Sequence, residues 1–394
     1  MTHPTSTPGT LRGAIVGYGF ISSRGHVPAY AASASGNAEG RGSQKARFEI
    51  VAVADVSAAR REAARKALPL ARIYEDHESM LAAEAGRIDF VDVTTPPSEH
   101  ARIARAALAL GLHVLCEKPV ATSVDEMRLM IAAARDAKRV LFPCHNYKHA
   151  PVIKAVRRAI DAGEIGTVKL VTLQTFRTTH ARGVAEWRPS WRREKRHSGG
   201  GIAMDHGSHT FYLAFDWLGA YPTSITAKMS ALGAFDTEDN FSCTMTFPTG
   251  LATAELSWTS GIRRVLYTIH GDRGAIRVED DDVEISSVVS GTLDGDPSQT
   301  RWATRRERIS SDWRDASHVT WFRSLFDQFA HAVAVNDFVG KETLDALRCI
   351  ELITTAYASA SDGSRERSLP PPLALVDGGR ERPLAHAIPV ARPT

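Results

Sequence analysis

Short apolar runs alternate with amphipathic helical stretches through the first third of the chain, and this alternation constrains the fold more than any other feature. The first run, "LRGAIVGYGF", breaks at glycines, and the second, "FEIVAVADVS", ends near Asp55. "DFVDVTTPP", "HVLCEKP" and "RVLFPCHN" follow. The intervening segments have helical spacing, and one begins with the capping pattern Ser123-x-x-Glu126. Short strands separated by helices predict a doubly wound α/β domain with a parallel sheet covered on both faces.

The second half of the chain has the pattern of antiparallel strands. In "FSCTMTF" every second residue is apolar, and Thr249-Gly250 and Arg273-Gly274 supply turns. Two helices are expected afterwards, at about residues 317–336 and 341–360. We therefore expect an α+β domain built on a large open, mostly antiparallel sheet, and an exposed sheet face of this kind predicts a homo-oligomer.

The chain has 394 residues, more than one hydrophobic core usually serves. We expect a disordered tail at 1–10, with neither the basic start nor the apolar run of a signal peptide. A dinucleotide-binding domain is expected at 11–144, with a Gly- and Ser-rich surface insertion at 33–47. A substrate and oligomerisation domain is expected at 145–362, and a tail or subunit-spanning arm at 363–394.

Composition excludes several classes of function. The net charge of +3 is too small to indicate nucleic acid or an anionic membrane surface, and no apolar stretch approaches a membrane span. The four cysteines form no C-x-x-C pair, so neither a disulfide framework nor a zinc knuckle is indicated. Cys116 and Cys144 are expected to be core residues. A reduced, cytoplasmic setting is the simplest interpretation.

The glycine turn "IVGYGFIS" predicts dinucleotide binding. Gly17 permits a tight turn, and Gly19 lets a pyrophosphate approach the backbone at the start of the next helix; Ser22 takes the third, small position. The alternative is a plain strand-to-helix turn. Asp55 ends the second strand, where a carboxylate binds ribose hydroxyls and repels a 2′-phosphate, so NAD is favoured over NADP. Arg60 lies nearby and could bind a 2′-phosphate, which would favour NADP. Asp55 could instead cap a helix.

In "HVLCEKPVATS" the charged residues Glu117 and Lys118 directly follow an apolar strand, which suggests a functional role for the lysine. Ligands of a doubly wound sheet bind beyond the carboxyl ends of its strands, where Lys118 is expected to lie. An ammonium group there can stabilise the alkoxide that forms as hydride leaves a hydroxyl-bearing carbon. A cis bond before Pro119 would fix the turn. The alternative is a polar turn closed by proline, with no role in the reaction.

A second candidate group lies in "HSGGGIAMDHGSHTFYLAFDWLG". The run Gly199–Gly201 is interpreted as a flexible approach to a helix on which Asp205 and His209, four residues apart, share one face. A carboxylate beside an imidazole can orient it as a base for the hydroxyl proton. The alternative is a solvated helix face. His206 adds ambiguity, but the spacing singles out no metal site.

The order of these motifs resembles the glucose–fructose oxidoreductase / inositol dehydrogenase / MocA family over about residues 12–360. The resemblance rests on the glycine turn, Asp55, Glu117-Lys118-Pro119, "DAGEIG" (161–166) and the Gly199–His209 pattern. It implies a Rossmann domain, a second domain with an open sheet, and a homodimer or homotetramer. It also implies NAD(P)-dependent oxidation of sugars, polyols or their derivatives, with His209 as acid/base and Lys118 and Asp205 assisting.

The predicted site residues fall into three groups. The catalytic residues are Lys118, Asp205 and His209. The predicted cofactor site is lined by Gly17, Gly19, Phe20, Ile21, Asp55, Thr94, Thr95, Pro96, His100, Glu117, Lys118 and Asn146. The predicted substrate site is lined by Lys118, Lys148, Arg188, Trp191, Asp205 and His209.

The run "NYKHAP" departs from the family, because Lys148 replaces an arginine and His149 an aromatic residue. Lys148 either contacts substrate or only packs the domain junction. The Arg- and Trp-rich loop at 177–201 suggests an acidic or polyhydroxylated sugar-like substrate, the alternatives being a solvated loop or a subunit contact. Two other functions stay open: a redox-neutral glycosidase or epimerase with tightly held NAD, and a non-catalytic dinucleotide-binding sensor.

Overall fold

The computed structural model forms two compact units that interleave along the chain. The first comprises residues 1–149, 181–200 and 314–347, and the second comprises 150–180, 201–313 and 348–394. The sequence-based boundaries, in contrast, are consecutive. The structure describes residues 9–34, 47–290, 300–311, 313, 315–373, 375–377 and 380–382. Most of the predicted tail at 1–10 and of the insertion at 33–47 therefore lies outside the described residues.

The first unit is built on a six-stranded parallel sheet, which confirms the doubly wound α/β prediction. The third strand, which pairs at the edge beside the second, was not predicted because it has only three residues. The strand order is β3-β2-β1-β4-β5-β6. The strands are β1 (Thr10–Val16), β2 (Arg47–Ala54), β3 (Arg72–Tyr74), β4 (Phe90–Val93), β5 (His113–Cys116) and β6 (Leu141–Pro143).

Helices connect these strands, as the sequence pattern predicts. A helical turn at Ser22–His26 leads into the first of them. The helices are α1 (Val27–Ala34), α2 (Ala58–Ala67), α3 (His77–Glu84), α4 (Pro97–Ala109) and α5 (Val124–Ala137). The Ser123 hydroxyl accepts a hydrogen bond from the Glu126 N–H at 3.2 Å, which confirms the predicted start of α5. The Glu126 carboxylate accepts from Thr122 rather than from the capping residue.

The second unit contains a nine-stranded sheet in which one pair, β7 with β10, is parallel and the other pairs are antiparallel. The order is β14-β13-β12-β11-β7-β10-β9-β8-β15. The strands are β7 (Val168–Phe176), β8 (Ser224–Ser230), β9 (Asn240–Phe247), β10 (Gly250–Ser257), β11 (Arg264–Gly271), β12 (Gly274–Glu279), β13 (Asp282–Ser290), β14 (Arg301–Arg308) and β15 (Arg367–Ser368). The large, mostly antiparallel sheet is thus confirmed.

Part of the segment predicted to be a C-terminal tail or arm belongs to this sheet. Strand β15 pairs antiparallel with β8, so that Arg367 lies opposite Ile225. A short antiparallel pair follows, formed by β16 (Leu375–Asp377) and β17 (Arg380–Arg382). Residues 383–394 lie outside the described residues.

The remaining helices complete both units. They are α6 (Pro151–Asp161), α7 (Lys195–Ser198), α8 (Ile202–Leu218), α9 (Val319–Ala334) and α10 (Lys341–Ser361). The last two begin and end within two residues of their predicted limits. In the described part of the chain, no helix combines the length and the apolar character that a membrane span requires.

Helix α9 belongs to the first unit, although it lies far along the chain. Its aromatic residues pack on α1 and on the parallel sheet: Phe326 stacks on Tyr30 of α1 with ring centroids 4.2 Å apart, and Phe329 contacts Phe90 of β4 at 5.4 Å. Burial of several aromatic rings supplies a large apolar contribution at this face. The return of the chain explains why the units interleave.

The four cysteines are free and buried. Cys116 and Cys144 have no exposed surface, which confirms that they are core residues. The pKa of each of these two thiols is raised well above its ordinary value, chiefly because burial disfavours the thiolate. Neither is poised to act as a nucleophile.

Candidate active site

The glycine turn joins β1 to the first helical turn and is tied to two neighbouring strands. Gly17 has φ +94° and donates its N–H to the Ala54 carbonyl at 2.8 Å. A Cβ at Gly17 would lie 2.9 Å from the Thr95 backbone nitrogen, so only glycine fits. The Thr94 hydroxyl donates to the Gly17 carbonyl at 2.5 Å. Gly17, Thr94 and Thr95, three of the residues expected at the cofactor site, are therefore brought together on this edge of the sheet.

Asp55 is held against this turn by the backbone. Its carboxylate accepts hydrogen bonds from the N–H groups of Tyr18, at 2.6 Å, and Ser57, at 2.8 Å. Burial raises the pKa of Asp55 and outweighs these hydrogen bonds, which lower it. Arg60 donates to the Tyr18 carbonyl at 2.7 Å and lies 3.5 Å from Glu186. Asp55 and Arg60, the residues expected to decide between NAD and NADP, thus both contact the glycine turn.

Lys118 follows β5 at the carboxyl edge of the parallel sheet, as predicted. The Glu117 N–H donates to the Val93 carbonyl at 2.9 Å, which ties this strand end to that of β4. The Lys118 N–H donates to its neighbour's carboxylate, Glu117 Oε2, at 3.0 Å. The bond between Lys118 and Pro119 is cis, which fixes the turn. The lysine therefore leaves the sheet at the edge where ligands of doubly wound folds bind.

The His100 side chain contacts the backbone of this turn. Its ring nitrogens lie 2.9 Å from the Pro119 carbonyl oxygen and 2.7 Å from the Thr95 carbonyl oxygen, and the side chain is completely buried. The pKa of His100 is lowered, because the effect of burial outweighs that of the two carbonyls, which raise it. His100, which was predicted to line the cofactor site, joins the turns that follow β4 and β5 through these contacts.

The residues at this edge fit a dinucleotide. No described atom lies within 4 Å of the position that a Cβ at Gly19 would occupy, so the backbone there is open to a phosphate. The next residue, Phe20, is 42% exposed, and Ile21 is half-buried. Among the described side chains, Asn146 Oδ1 and Thr95 Oγ1 are buried without a hydrogen-bond partner. Such atoms are the usual contacts of a bound polar ligand or water.

Helix α8 carries the second group of predicted residues. His209 is 5% exposed, and its Nδ1 lies 2.7 Å from the Tyr212 hydroxyl. Asp205 lies 3.8 Å from His206 Nε2, and the two imidazole rings of His206 and His209 have centroids 6.0 Å apart. Sequence reasoning missed Tyr212, although its position three residues after His209 places it on the same face of the helix.

Glu238 fixes the start of α8 and was also missed. Its carboxylate accepts hydrogen bonds from the N–H groups of Gly201 and Ala203, each at 2.9 Å, and from the Tyr357 hydroxyl at 2.9 Å. A Cβ at Gly201 would lie 2.0 Å from the Glu238 carbonyl oxygen. Gly201 therefore permits close packing rather than a flexible approach, and an acid 37 residues away could not have been recognised as its cap.

Lys148 lies in a buried cluster of charges. Its Nζ is 2.8 Å from Glu342 Oε2 and 2.7 Å from Asp345 Oδ2, and Lys341 joins the same Asp345. His145 Nδ1 lies 3.0 Å from the Glu342 carboxylate. Burial acts to raise the pKa of Glu342, but Lys148 and His145 hold it well below its ordinary value. Of the two readings left open for Lys148, this cluster favours packing over substrate contact.

The Arg- and Trp-rich loop makes many of its contacts within itself. Arg188 and Arg196 both pair with Glu194, at 3.1 Å and 2.8 Å. The Arg192 guanidinium covers the Trp191 ring at 4.2 Å from its centroid. Arg188 and Trp191, the predicted substrate contacts, are thus held by neighbours on the loop that belongs to the first unit.

Two family profiles match the chain. The profile described as an oxidoreductase family with an NAD-binding Rossmann fold matches residues 11–145. The profile described as the GFO/IDH/MocA C-terminal domain matches residues 153–277. The first match covers the predicted dinucleotide-binding domain, and the second covers part of the predicted substrate domain.

Known proteins resemble the chain over most of its length. It is 30% identical to the D-apiose dehydrogenase of Paraburkholderia graminis over 283 residues, which is 70% of each chain. It is 31% identical to the inositol 2-dehydrogenase of Rhizobium meliloti over 281 residues, 68% of this chain and 76% of the relative. A structure of levoglucosan dehydrogenase in complex with NADH and levoglucosan superposes with a TM-score of 0.77. It is 20% identical and covers 92% of this chain and 100% of that one, which shows a shared fold.

Proposed function

This chain belongs to the Gfo/Idh/MocA family of NAD-binding oxidoreductases, and we propose that it transfers a hydride between a hydroxyl-bearing carbon of a sugar, polyol or sugar-acid-like substrate and nicotinamide. Its relatives named above are dehydrogenases of D-apiose and inositol. The observation that carries the proposal is Lys118, which follows β5 on the same sheet edge as the glycine turn and Asp55.

The residues of the first unit hold the cofactor in this proposal. The open backbone at Gly19 takes the pyrophosphate, and Asp55 takes the adenosine ribose. Asn146 and Thr95 offer the buried oxygens that lack partners in the described structure. When bound, NAD supplies the hydride acceptor.

Three side chains perform the chemistry in the proposal. Lys118 donates a hydrogen bond to the reacting oxygen of the substrate and stabilises negative charge as it develops there. His209 takes the hydroxyl proton at Nε2, since the tautomer whose Nδ1–H donates to the Tyr212 hydroxyl carries no proton on Nε2. Asp205 assists by favouring the protonated imidazole.

The loop contacts favour a neutral polyhydroxylated substrate over an acidic one. Arg188 and Arg196 share the Glu194 carboxylate, which already neutralises part of their charge. A substrate carboxylate at these two guanidinium groups would have to compete with Glu194. We therefore propose that sugars and polyols are better substrates than uronates.

The exposed face of the second sheet supports the proposal of a homodimer or homotetramer. Leu170 on β7 and Leu251 on the adjacent β10 are 38% and 37% exposed. Apolar residues on an open sheet face are commonly covered by another subunit. Light scattering on the pure protein should give at least twice the mass of one chain, and a monomer at micromolar concentration would contradict this.

The four buried free cysteines fit a reducing, cytoplasmic setting.

The experiment that tests the function mixes the protein and NAD with a panel of polyols, neutral sugars, uronates and amino sugars. We expect the absorbance of reduced nicotinamide to grow with at least one neutral polyhydroxylated compound. Protein denatured after purification is also assayed for released NAD. Tightly retained NAD without net reduction would favour the redox-neutral reaction, and absence of NAD binding would overturn the proposal.

A further inference from the structure

Three buried charged side chains lie behind Lys118, and the proposed function does not use them. His26 Nδ1 lies 2.8 Å from Asp92 Oδ2, and His26 Nε2 lies 3.1 Å from Glu117 Oε1. The exposed fractions of the side chains are 0% for His26 and Asp92 and 9% for Glu117. We refer to Asp92, His26 and Glu117 as the buried triad.

The triad is sealed on its outer side by helix α9. The rings of Phe322 and Phe326 lie 4.3 Å and 5.4 Å from the His26 ring. Tyr30 adds a hydrogen bond from its hydroxyl to Asp92 Oδ2 at 2.9 Å. Water cannot screen charges in such surroundings, so an ionised carboxylate there needs a hydrogen-bond donor or an opposite charge beside it.

The geometry indicates that His26 is an imidazolium. Each ring nitrogen faces a carboxylate oxygen, and an ionised carboxylate can only accept a hydrogen bond, so both nitrogens must donate. Burial alone would lower the pKa of His26, but the charges and hydrogen bonds of Asp92 and Glu117 raise it to about 9. Burial raises the pKa of Glu117, and the hydrogen bond and charge of His26 bring it below its ordinary value.

Glu117 connects the triad to the proposed catalytic lysine. While Oε1 accepts from His26, Oε2 accepts the backbone N–H of Lys118 at 3.0 Å. The carboxylate is therefore fixed at both oxygens, and it fixes the residue from which the ammonium side chain extends. We propose that the buried triad is a positioning device that holds the Lys118 main chain, and so directs its ammonium group to the substrate. This inference rests on the proposed function, in which Lys118 contacts the substrate.

A metal ion is the competing interpretation of the same residues. His26, Glu117 and Cys144 offer ligand atoms that all lie within 4.8 Å of one another. Both nitrogens of His26 are already hydrogen-bonded to carboxylates, and a metal would have to displace one of these bonds. Burial holds Cys144 as the neutral thiol, whereas a cysteine ligand must be deprotonated. The contacts therefore favour a hydrogen-bonded triad.

Kinetics of three variants test the positioning role. His26→Gln, Glu117→Gln and the double variant should each lower kcat by about tenfold or more, with NAD affinity and KM within about twofold of wild type. The double variant should be no worse than the poorer single variant, because the residues act through one contact. His113→Asn is the matched control: this histidine starts β5 at the opposite end from Lys118 and accepts the Val140 N–H at 3.0 Å. It should leave kcat unchanged.

A spectroscopic measurement supports the kinetics independently. Nitrogen-15 spectra of histidine-labelled wild-type protein at pH 7 should contain a ring with both nitrogens protonated, and Glu117→Gln should abolish that signal. Should the glutamine variants not fold, Glu117→Asp keeps the charge but shortens the reach, and the same loss of kcat is expected. A neutral His26, or a stoichiometric metal lost in Cys144→Ala, would overturn the inference.

The outcomes separate this inference from the proposed function. If Lys118→Ala keeps full activity, the proposed function fails and the positioning role fails with it. If Lys118→Ala is inactive while His26→Gln and Glu117→Gln have wild-type kcat, the function stands and only the positioning role is overturned.

Discussion

The carboxylate of Asp55 accepts a hydrogen bond from the Tyr18 backbone N–H at 2.6 Å, which joins the end of the second strand to the glycine turn. The same carboxylate accepts the Ser57 N–H through its other oxygen. These two bonds fix the direction of both oxygens beside the place where the adenosine ribose is proposed to lie. In the proposed cofactor position, this carboxylate lies where a 2′-phosphate would have to bind.

Replacement of this charge should change the cofactor preference. In Asp55→Ser, we expect the ratio of kcat/KM for NAD to that for NADP to fall by about tenfold or more, because the carboxylate no longer repels the 2′-phosphate. Glu75→Gln is the control, since Glu75 is an exposed acid that pairs with Arg61 nearby. An unchanged ratio in Asp55→Ser would show that the carboxylate does not discriminate between NAD and NADP.

Two glycines of the turn should respond differently to alanine. Gly17→Ala places a Cβ against Thr95 and forces alanine to φ +94°, so we expect a loss of stability of about 1–2 kcal/mol or more. Gly19→Ala meets no described atom within 4 Å, so the melting temperature should stay unchanged. Its methyl group would occupy the approach of the pyrophosphate, and NAD affinity should fall by about tenfold or more. Equal NAD affinity in Gly19→Ala and wild type would contradict the proposed cofactor position.

Tyr212→Phe tests the tautomer proposed for His209. Loss of the hydroxyl removes the acceptor 2.7 Å from Nδ1, and we expect kcat to fall by about fivefold while NAD affinity is unchanged. Tyr267→Phe, a buried tyrosine on β11 of the same unit, serves as the control. Equal values of kcat for Tyr212→Phe and Tyr267→Phe would argue against a role for this hydrogen bond.

The charge of His26 should make stability depend on pH. Because its pKa is raised from 6.5 to about 9 in the folded protein, its contribution is fully present below pH 6.5 and is lost as the pH rises through 9. The free energy of unfolding of wild type relative to His26→Gln should therefore shrink between these values, by on the order of 3 kcal/mol. Asp92, Glu117, Tyr30, Cys116 and Cys144 are the titratable groups around His26 in both proteins. Denaturant unfolding at several pH values measures this difference, and a constant one would contradict the buried imidazolium.

The architecture was predictable where periodicity is strong. The burial of Phe241, Cys243, Met245 and Phe247 follows the alternation read from "FSCTMTF". The return of α9 to the first unit was not predictable, because only the folded unit presents Tyr30 of α1 and Phe90 of β4 to its aromatic residues. Strand β3 was not predicted because a strand of three residues is too short to show a periodic pattern of apolar residues.

The candidate site was predictable where a residue lies next to its motif. Lys118 and Asp55 could be placed because strand ends are visible in the sequence as the limits of apolar runs. The buried triad behind Lys118 could not be predicted, because Asp92 lies 66 residues from His26 and Glu117 lies 91 residues from it. Lys148 shows the same limit, since its acidic partner Glu342 follows 194 residues later.

The most direct test of the account compares wild type with Lys118→Ala on the best substrate of the panel. Reduction of NAD is followed by absorbance, and NAD affinity is measured separately in both proteins. The account predicts that Lys118→Ala binds NAD within about twofold of wild type but reduces it at least about a hundredfold more slowly. Reduction by the variant at the wild-type rate would contradict the assignment of Lys118 to the reaction and, with it, the proposed active site.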